Sequence, residues 1–350
     1  MNSSTSEILF ARRGVAGIVT LNRPQALNAI TLDMVRALHR QLDAWAGDGA
    51  VTRVVVTAAG ERAFSAGGDI RALYELGRAG RHAEALAFFR EEYTLNTAIK
   101  RYPKPYVSLI DGIVMGGGFG VSVHGSHRVA GDRFQFAMPE VGIGFFPDVG
   151  ASWVLPRLPH EIGTWCALTG ERLRTADGVA AGIATHHVRS DRFADLLDAL
   201  CGNVAVDALL SAFAEPPAGG PIMARAATIE AMFGAPRIEA ILAALDAAGG
   251  DAADWARGCA ATIRGKSPTS LKIALAQVRR GGTWSFEECM QAEFRIVSRI
   301  VHGHDFYEGV RAAIVAKDNA PAWRPATLAE VTDAEIERHF APLDDELRLP

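Results

Sequence analysis

The alternation of apolar and polar positions predicts a β-hairpin at the start of the chain, followed by an amphipathic helix. Residues 7–22 alternate and then become apolar, with Gly14 near the predicted turn. Thr31 suits the N-cap of a helix to about Ala46, because leucine and valine recur on one face of that segment. A valine-rich run at residues 53–58 then predicts a short buried strand.

The order strand, glycine turn, helix occurs twice, at residues 53–79 and 105–124. Gly68 lies in the first turn, and Gly117 lies within three consecutive glycines in the second. Adjacent glycines let backbone N–H groups face a ligand, and a helix that starts there attracts anions. Because strands alternate with helices, the pattern predicts an α/β fold with largely parallel strands. The second strand, at 105–110, is expected to lead straight into the triple-glycine turn.

Helical periodicity dominates after about residue 158. Helices are predicted in segments that begin near Pro159, Thr175, Phe193 and Ser267, and at 327–340. Ser267 precedes a proline, which is favoured at the first helical position. We therefore expect two parts: an α/β core of residues 1–204, and a helical C-terminal region of residues 205–350 packed on that core.

Composition excludes several classes of function. The 350 residues carry a net charge of −4, which argues against nucleic-acid binding. The four cysteines are widely spaced without a Cys-x-x-Cys pair, which indicates reduced thiols rather than disulfides or a zinc site. The first ten residues lack a basic segment and a long apolar run, so no secretory signal is expected. No apolar run could span a membrane. These features predict a cytoplasmic protein without a metal site.

Two acids stand in unusually apolar surroundings. Glu140 follows Pro139, Asp148 follows Pro147, and the residues between them include two adjacent phenylalanines. Acids in such surroundings either cap a helix or take part in chemistry. They are too far apart in sequence for one short turn, so the two carboxylates can meet only across a loop.

Several motifs together carry a family resemblance. Short motifs lie at residues 21–24, 64–70, 116–118 and 121–125, and a longer and more specific one covers 136–150. In these motifs the chain resembles the crotonase (enoyl-CoA hydratase/isomerase) superfamily, and within it the 3-hydroxyisobutyryl-CoA hydrolases. The resemblance implies a crotonase-like spiral of β-β-α repeats with two sheets and a helical C-terminal region. It also implies a homo-oligomer, either a trimer or a hexamer.

The resemblance implies a binding site for an acyl-CoA thioester. The backbone N–H groups of Gly68 and Gly117 would form an oxyanion hole, which stabilises charge on the thioester oxygen. CoA itself is part of the substrate, so no separate cofactor is expected. Among the residues that would contact CoA, Arg62 is explained equally well as an arginine in a solvated loop without a role in binding. The residues assigned to CoA binding are Ala26, Leu27, Arg62, Ala66, Gly68, Asp69 and Ile70.

The catalytic carboxylates differ from those of hydratases. Gly120 stands where similar hydratases have a glutamate, whereas the second glutamate is kept as Glu140. Asp148 is present as in the hydrolases, where it would bind the substrate 3-hydroxyl group. Glu140 would act either as a general base or as a nucleophile, and both remain open. Glu92 matches a further substrate-site acid, although a solvated helix face would also explain it. Substrate binding is thus assigned to Glu92, Gly117, Glu140 and Asp148.

The resemblance favours a thioester hydrolase of valine catabolism that releases 3-hydroxyisobutyrate and CoA. Two alternatives remain. The first is an enoyl-CoA isomerase or hydratase on the same scaffold, and the second is a catalytically silent subunit that binds acyl-CoA. The sequence does not determine the acyl-chain preference.

Overall fold

The computed structural model describes residues 6–349, which contain ten strands in two sheets. Residues 1–5, part of the segment considered for a secretory signal, and Pro350 lie outside the described residues. The strands are β1 (Ile8–Arg13), β2 (Ala16–Leu21), β3 (Arg53–Ala58), β4 (Ala63–Ser65), β5 (Tyr106–Ile110), β6 (Ile113–Met115), β7 (His127–Ala130), β8 (Gln135–Ala137), β9 (Leu173–Arg174) and β10 (His186–His187).

Sixteen α-helices lie in the same described part of the chain, and none of them is long and apolar enough to span a membrane. They are α1 (Leu32–Gly47), α2 (Ile70–Arg78), α3 (His82–Lys100), α4 (Gly117–Val123), α5 (Ala151–Val154), α6 (Ile162–Thr169), α7 (Thr175–Ala180), α8 (Phe193–Leu200), α9 (Val206–Phe213), α10 (Ala226–Phe233), α11 (Ile238–Asp246), α12 (Ala253–Arg264), α13 (Pro268–Gly281), α14 (Phe286–Ile300), α15 (His304–Val310) and α16 (Asp333–Phe340).

The larger sheet has six strands in the order β1-β2-β3-β5-β7-β10. The hairpin β1–β2 is antiparallel, with Ile8 opposite Leu21, and every other neighbouring pair is parallel. Val54, Val55 and Val56 in β3 are fully buried, as expected for a parallel strand covered on both faces. The predicted α/β fold with largely parallel strands is therefore confirmed.

The second sheet has the order β4-β6-β8-β9, and its strands contain only two or three residues. The strand predicted at 105–110 is present as β5, and a further strand that the sequence did not predict, β6, lies between it and the triple-glycine turn. Such short strands have no periodicity of their own, and pairing with neighbours in the sheet defines them.

Two helices begin directly after the capping residues that the sequence predicted. The Thr31 hydroxyl accepts a hydrogen bond from the Met34 N–H, and the Ser267 hydroxyl accepts one from Ser270 N–H. The predicted last helix at 327–340 is shorter than expected, because only α16 is a full helix in that stretch.

The chain divides into two compact units that do not follow its order. The first comprises Met1–Asp69, Thr94–Phe136 and Arg172–Ala224. Its core joins apolar side chains of β2, β3, β5 and β7 to those of α8 and α9. The fully buried members of this core are Ala16, Val55, Val107, Val129, Val188, Leu196, Leu200 and Leu210. The expected division at residue 204 remains a prediction.

The second unit comprises Ile70–Tyr93, Ala137–Glu171 and Arg225–Pro350, and it is mainly helical. Helix α6 is buried on every side and packs against α10 and α13. Gly163 in α6 lies so close to the preceding segment that an added Cβ would stand 1.8 Å from the Leu155 carbonyl oxygen. A glycine is therefore required at this helix contact.

We predict that Gly163→Ala lowers the free energy of unfolding by about 1–3 kcal/mol, because the methyl group overpacks a backbone contact. The matched control is Gly47→Ala in α1, where an added Cβ would meet no atom within 4 Å. Urea unfolding of both variants measures the difference. Equal stability of the two variants would contradict the packing inferred around α6.

Candidate active site

The first glycine turn is held by hydrogen bonds from the segment that follows β2. The Ile30 carbonyl accepts from Asp69 N–H at 2.9 Å, and Ile30 forms a parallel bridge with Gly68. The Leu27 carbonyl accepts from Ala66 N–H at 2.9 Å. The structure therefore brings Leu27 and Ala66, both assigned to CoA binding, to the same place.

The other residues assigned to CoA binding lie in different local environments. Ala26 lies in a short 3₁₀ turn directly before Leu27, and Ile70 begins α2. The Asp69 carboxylate pairs with Arg23 at 3.1 Å, which gives it a structural partner. The Arg62 side chain is exposed, so both earlier interpretations of it still apply.

The second glycine turn contacts the first. Gly116 has a φ of 44° and a ψ of −124°, a conformation that suits glycine, and Gly117 is the first residue of α4. An ideal Cβ on Gly67 would lie 3.9 Å from the Gly117 nitrogen. One on Gly118 would lie 2.5 Å from the Ser65 carbonyl oxygen. The two turns therefore adjoin, and a side chain at Gly118 would clash with the backbone that leads into the first turn.

The N–H groups of Gly68 and Gly117 donate to no other backbone group within residues 6–349. Both residues belong to the first compact unit. Two unpaired N–H groups on adjoining turns can serve as donors to one oxygen atom that develops negative charge.

The predicted acids lie in the second unit, and together with Glu293 they form a cluster of four buried carboxyl groups. Glu92 is 2% exposed, Glu140 is 7% exposed and Asp148 is 5% exposed. The Tyr93 hydroxyl donates to Asp148 Oδ2 at 2.9 Å. Glu293 of α14 is fully buried and is the fourth acid. The burial of Glu92 is incompatible with a solvated helix face.

Burial dominates the electrostatics of these groups. It raises the pKa of Asp148 to about 7, although the hydrogen bond from Tyr93 opposes the rise. It raises the pKa of Glu293 to about 8, and the charge of Asp148 contributes further. Burial followed by the charge of Asp148 also raises the pKa of Glu140 and of Glu92 well above the usual range. Burial and mutual repulsion thus oppose ionisation of these acids.

Two carboxyl oxygens of this cluster have no hydrogen-bond partner in the described part of the chain. They are Glu140 Oε2 and Glu92 Oε1. Because an unpaired buried polar atom is costly, such atoms indicate a place where a ligand supplies the missing donor. Within residues 6–349, no group of histidine, cysteine, aspartate or glutamate has the arrangement to hold a metal ion.

The sequence analysis missed two residues of this cluster. Tyr93 was passed over because its only signal is its position beside Glu92. Glu293 had a detectable signal, because it interrupts the apolar stripe that Phe286, Met290 and Val297 form along α14. A charged residue at a core position of an amphipathic helix is a reason to expect a specific partner.

Comparison with known proteins identifies the relatives of this chain. A family model described as enoyl-CoA hydratase/isomerase matches residues 16–340. A protein of Danio rerio named 3-hydroxyisobutyryl-CoA hydrolase, mitochondrial, is 45% identical over 97% of this chain and 91% of its own length.

Two solved structures are similar over nearly the whole chain. A carnitinyl-CoA dehydratase from Mycobacterium thermoresistibile is 43% identical, with a TM-score of 0.93 over 98% of this chain and 99% of its own. An enoyl-CoA hydratase from Rhodobacter sphaeroides is 37% identical, with a TM-score of 0.90 over 97% of this chain and 98% of its own. The crotonase-like fold expected from the motifs is thereby confirmed.

We predict that the stability of the protein falls as the pH rises from about 4 to 7. The pKa of Asp148 rises on folding from 3.8 to about 7, so the folded state holds a proton that the unfolded state has released. The resulting stabilisation is full below pH 3.8 and is lost as the pH passes 7. One such group contributes a slope of up to about 1.4 kcal/mol per pH unit.

The measurement is urea unfolding at several pH values for the wild type and Asp148→Asn. The variant should show a flatter pH dependence and higher stability at pH 8, whereas Asp344→Asn at an exposed carboxylate should behave as the wild type. Identical slopes for the wild type and Asp148→Asn would show that Asp148 does not retain its proton on folding.

Proposed function

The chain belongs to the enoyl-CoA hydratase/isomerase family, and on that basis we propose that it hydrolyses the thioester of 3-hydroxyisobutyryl-CoA and related short 3-hydroxyacyl-CoA esters. The observation that carries this proposal is the buried, unpaired Oε2 of Glu140, in a cluster where Tyr93 already occupies Asp148 Oδ2. The name of the Danio rerio relative, 45% identical to this chain, supports the same substrate.

Glu140 is the proposed catalytic carboxylate. As a general base it takes a proton from water, whose oxygen forms a bond to the thioester carbon. As a nucleophile it would attack that carbon itself and form a mixed anhydride, which water then hydrolyses. Either route breaks the carbon–sulfur bond, and the CoA thiolate leaves and takes up a proton. Label from H₂¹⁸O that enters Glu140 itself would identify the anhydride route.

Gly68 and Gly117 are the proposed oxyanion-hole residues. Their N–H groups have no backbone acceptor in the described part of the chain, so they can donate to the thioester oxygen as it becomes negative. Removal of one such donor typically costs about 3 kcal/mol of transition-state stabilisation. Donors that are already oriented by the two packed turns need no rearrangement during the reaction.

Asp148 and Glu92 are the proposed residues that recognise the substrate hydroxyl. Asp148 has a pKa of about 7 because of its burial, so both of its protonation states are accessible near neutral pH. The Tyr93 hydroxyl orients one oxygen of Asp148, and we assign the other oxygen to the 3-hydroxyl group. Glu92 Oε1 offers a second unpaired acceptor.

The remaining assignments follow from the same proposal. CoA would contact Ala26, Leu27, Arg62 and the loop from Ala66 to Ile70, and the reaction requires no redox or metal cofactor. We propose a homo-oligomer and a role in valine catabolism. We also propose a cytoplasmic location because the four cysteines form no disulfide in the described part of the chain, although the Danio rerio relative is named mitochondrial.

A second candidate is hydration or dehydration of an enoyl-CoA. The names of the two similar solved structures favour it, since one is a dehydratase and the other a hydratase. Gly120 opposes it, because the glutamate of similar hydratases is missing at that position. The paired acids Glu140 and Asp148 also argue against a silent acyl-CoA-binding subunit.

We predict that the wild type releases thiol from 3-hydroxyisobutyryl-CoA and hydrates crotonyl-CoA poorly. Glu140→Gln keeps the shape of the side chain but removes the base and the nucleophile, so thiol release should fall by a factor of about 10²–10⁴ while binding of the ester persists. The measurements are thiol release, crotonyl-CoA absorbance and calorimetric binding. Efficient crotonyl-CoA hydration without thiol release would instead establish the second candidate.

We predict that Asp148→Asn loses about tenfold more activity on 3-hydroxyisobutyryl-CoA than on isobutyryl-CoA, because a hydrogen bond to a charged group is lost only with the hydroxylated ester. Glu140→Gln is the matched control, since it should lose activity equally on both esters. Equal losses in Asp148→Asn would exclude its role in recognising the hydroxyl group.

A further inference from the structure

The backbone next to Asp148 is held in an uncommon conformation. Val149 has a φ of 53° and Gly150 a φ of 87°, so two consecutive residues are left-handed. This conformation is ordinary for glycine but unfavourable for a β-branched residue. Val149 is also fully buried. Strain of this kind persists only where the surrounding contacts dictate it, and it concentrates at functional sites.

Glu293 supplies the contacts that hold this turn. One carboxyl oxygen accepts from Gly150 N–H at 2.8 Å, and the other accepts from Ser152 N–H at 3.0 Å and from the Ser152 hydroxyl. Its three donors therefore lie on the C-terminal side of Val149. On the other side, the Gln277 amide donates to the Pro147 carbonyl.

The turn cannot shift easily towards the neighbouring helices. An ideal Cβ on Gly281, at the end of α13, would lie 1.9 Å from the Ser152 carbonyl oxygen. Ser152 is thus packed against backbone on one side and bonded to Glu293 on the other. These contacts of Ser152 therefore also restrict the position of Asp148, four residues earlier in the chain.

The chemistry of the contact requires a carboxyl group. Every partner of Glu293 in this turn donates, and only a carboxyl group presents two oxygens that can both accept. A glutamine at this position would direct its own NH₂ group at a backbone N–H. An apolar residue would continue the stripe of α14 but would leave two buried N–H groups unpaired.

We infer that Glu293 is a positioning residue, which holds the Val149–Gly150 turn left-handed and thereby keeps Asp148 oriented towards the Tyr93 hydroxyl and the substrate. Glu293 acts through the backbone of the turn and does not touch the substrate. The inference on orientation towards the substrate rests on the proposed function, whereas the inference on the turn does not.

The first test measures hydrogen exchange of the Gly150 and Ser152 amides by NMR. In Glu293→Gln and Glu293→Ala these amides should exchange about tenfold faster or more, because each amide loses its carboxyl oxygen acceptor. Glu288→Gln is the matched control, since that exposed acid lies on the same helix and bonds only at the helix cap. Unchanged exchange in both Glu293 variants would overturn the inference.

The second test is a double-mutant cycle with Val149→Gly. Glycine accepts the left-handed conformation without strain, so removal of Glu293 should accelerate amide exchange less in the Val149→Gly background than in the wild type. Additive effects would show that Glu293 does not act on the strained turn. If Glu293→Ala does not fold, Glu293→Gln and Ser152→Ala provide the same comparison.

The third test compares kcat and KM for 3-hydroxyisobutyryl-CoA and isobutyryl-CoA. A positioning role predicts that Glu293→Gln loses about tenfold more kcat/KM on the hydroxylated ester, as Asp148→Asn does. A merely structural role would lower activity on both esters by one common factor. If the wild type cleaves neither ester, the proposed function fails, and the exchange measurements still decide whether Glu293 holds the turn.

Discussion

The burial of several carboxyl groups in one place is the constraint on which the second compact unit depends. A buried carboxylate without a partner is strongly unfavourable, so each acid must retain a proton, accept hydrogen bonds or await a ligand. The structure uses all three solutions. Asp148 accepts from Tyr93, Glu293 accepts from the backbone of the neighbouring turn, and Glu140 keeps an unpaired oxygen. Glu140 and Glu92, the two acids with an unpaired oxygen, are both assigned to the proposed substrate site.

A complementary constraint operates in the first unit, where two glycine turns approach closely. A side chain at Gly118 would clash with the backbone at Ser65, which leads into the first turn. The same close approach leaves the N–H groups of Gly68 and Gly117 without backbone acceptors in the described part of the chain. The proposed thioester hydrolysis requires hydrogen-bond donors and a carboxylate. Local packing in the first unit provides the donors, and local packing in the second unit provides the carboxylates.

Members of this family carry different activities on one scaffold, as the names of the similar proteins show. Global similarity therefore cannot distinguish a hydrolase from a dehydratase, because identities of 45% and 43% are nearly equal. The decision depends on single positions. Gly120 provides no carboxylate in α4, whereas Asp148 provides one beside a strained turn. The chemistry of those positions, rather than the fold, supports the hydrolase.

The sequence by itself determined the elements whose signals are local. Thr31 and Ser267 marked helix starts because a cap bonds within its own first turn, and apolar periodicity marked the hairpin and β3. It also singled out Glu140, Asp148 and the two glycine turns. Only the tertiary structure decided which polar groups meet. Tyr93 bonds to Asp148 across 55 residues, and Glu293 bonds to Gly150 across 143. The two- and three-residue strands likewise exist only because a sheet neighbour pairs with them. Such contacts have no periodicity in the sequence, since folding rather than chain proximity brings their partners together.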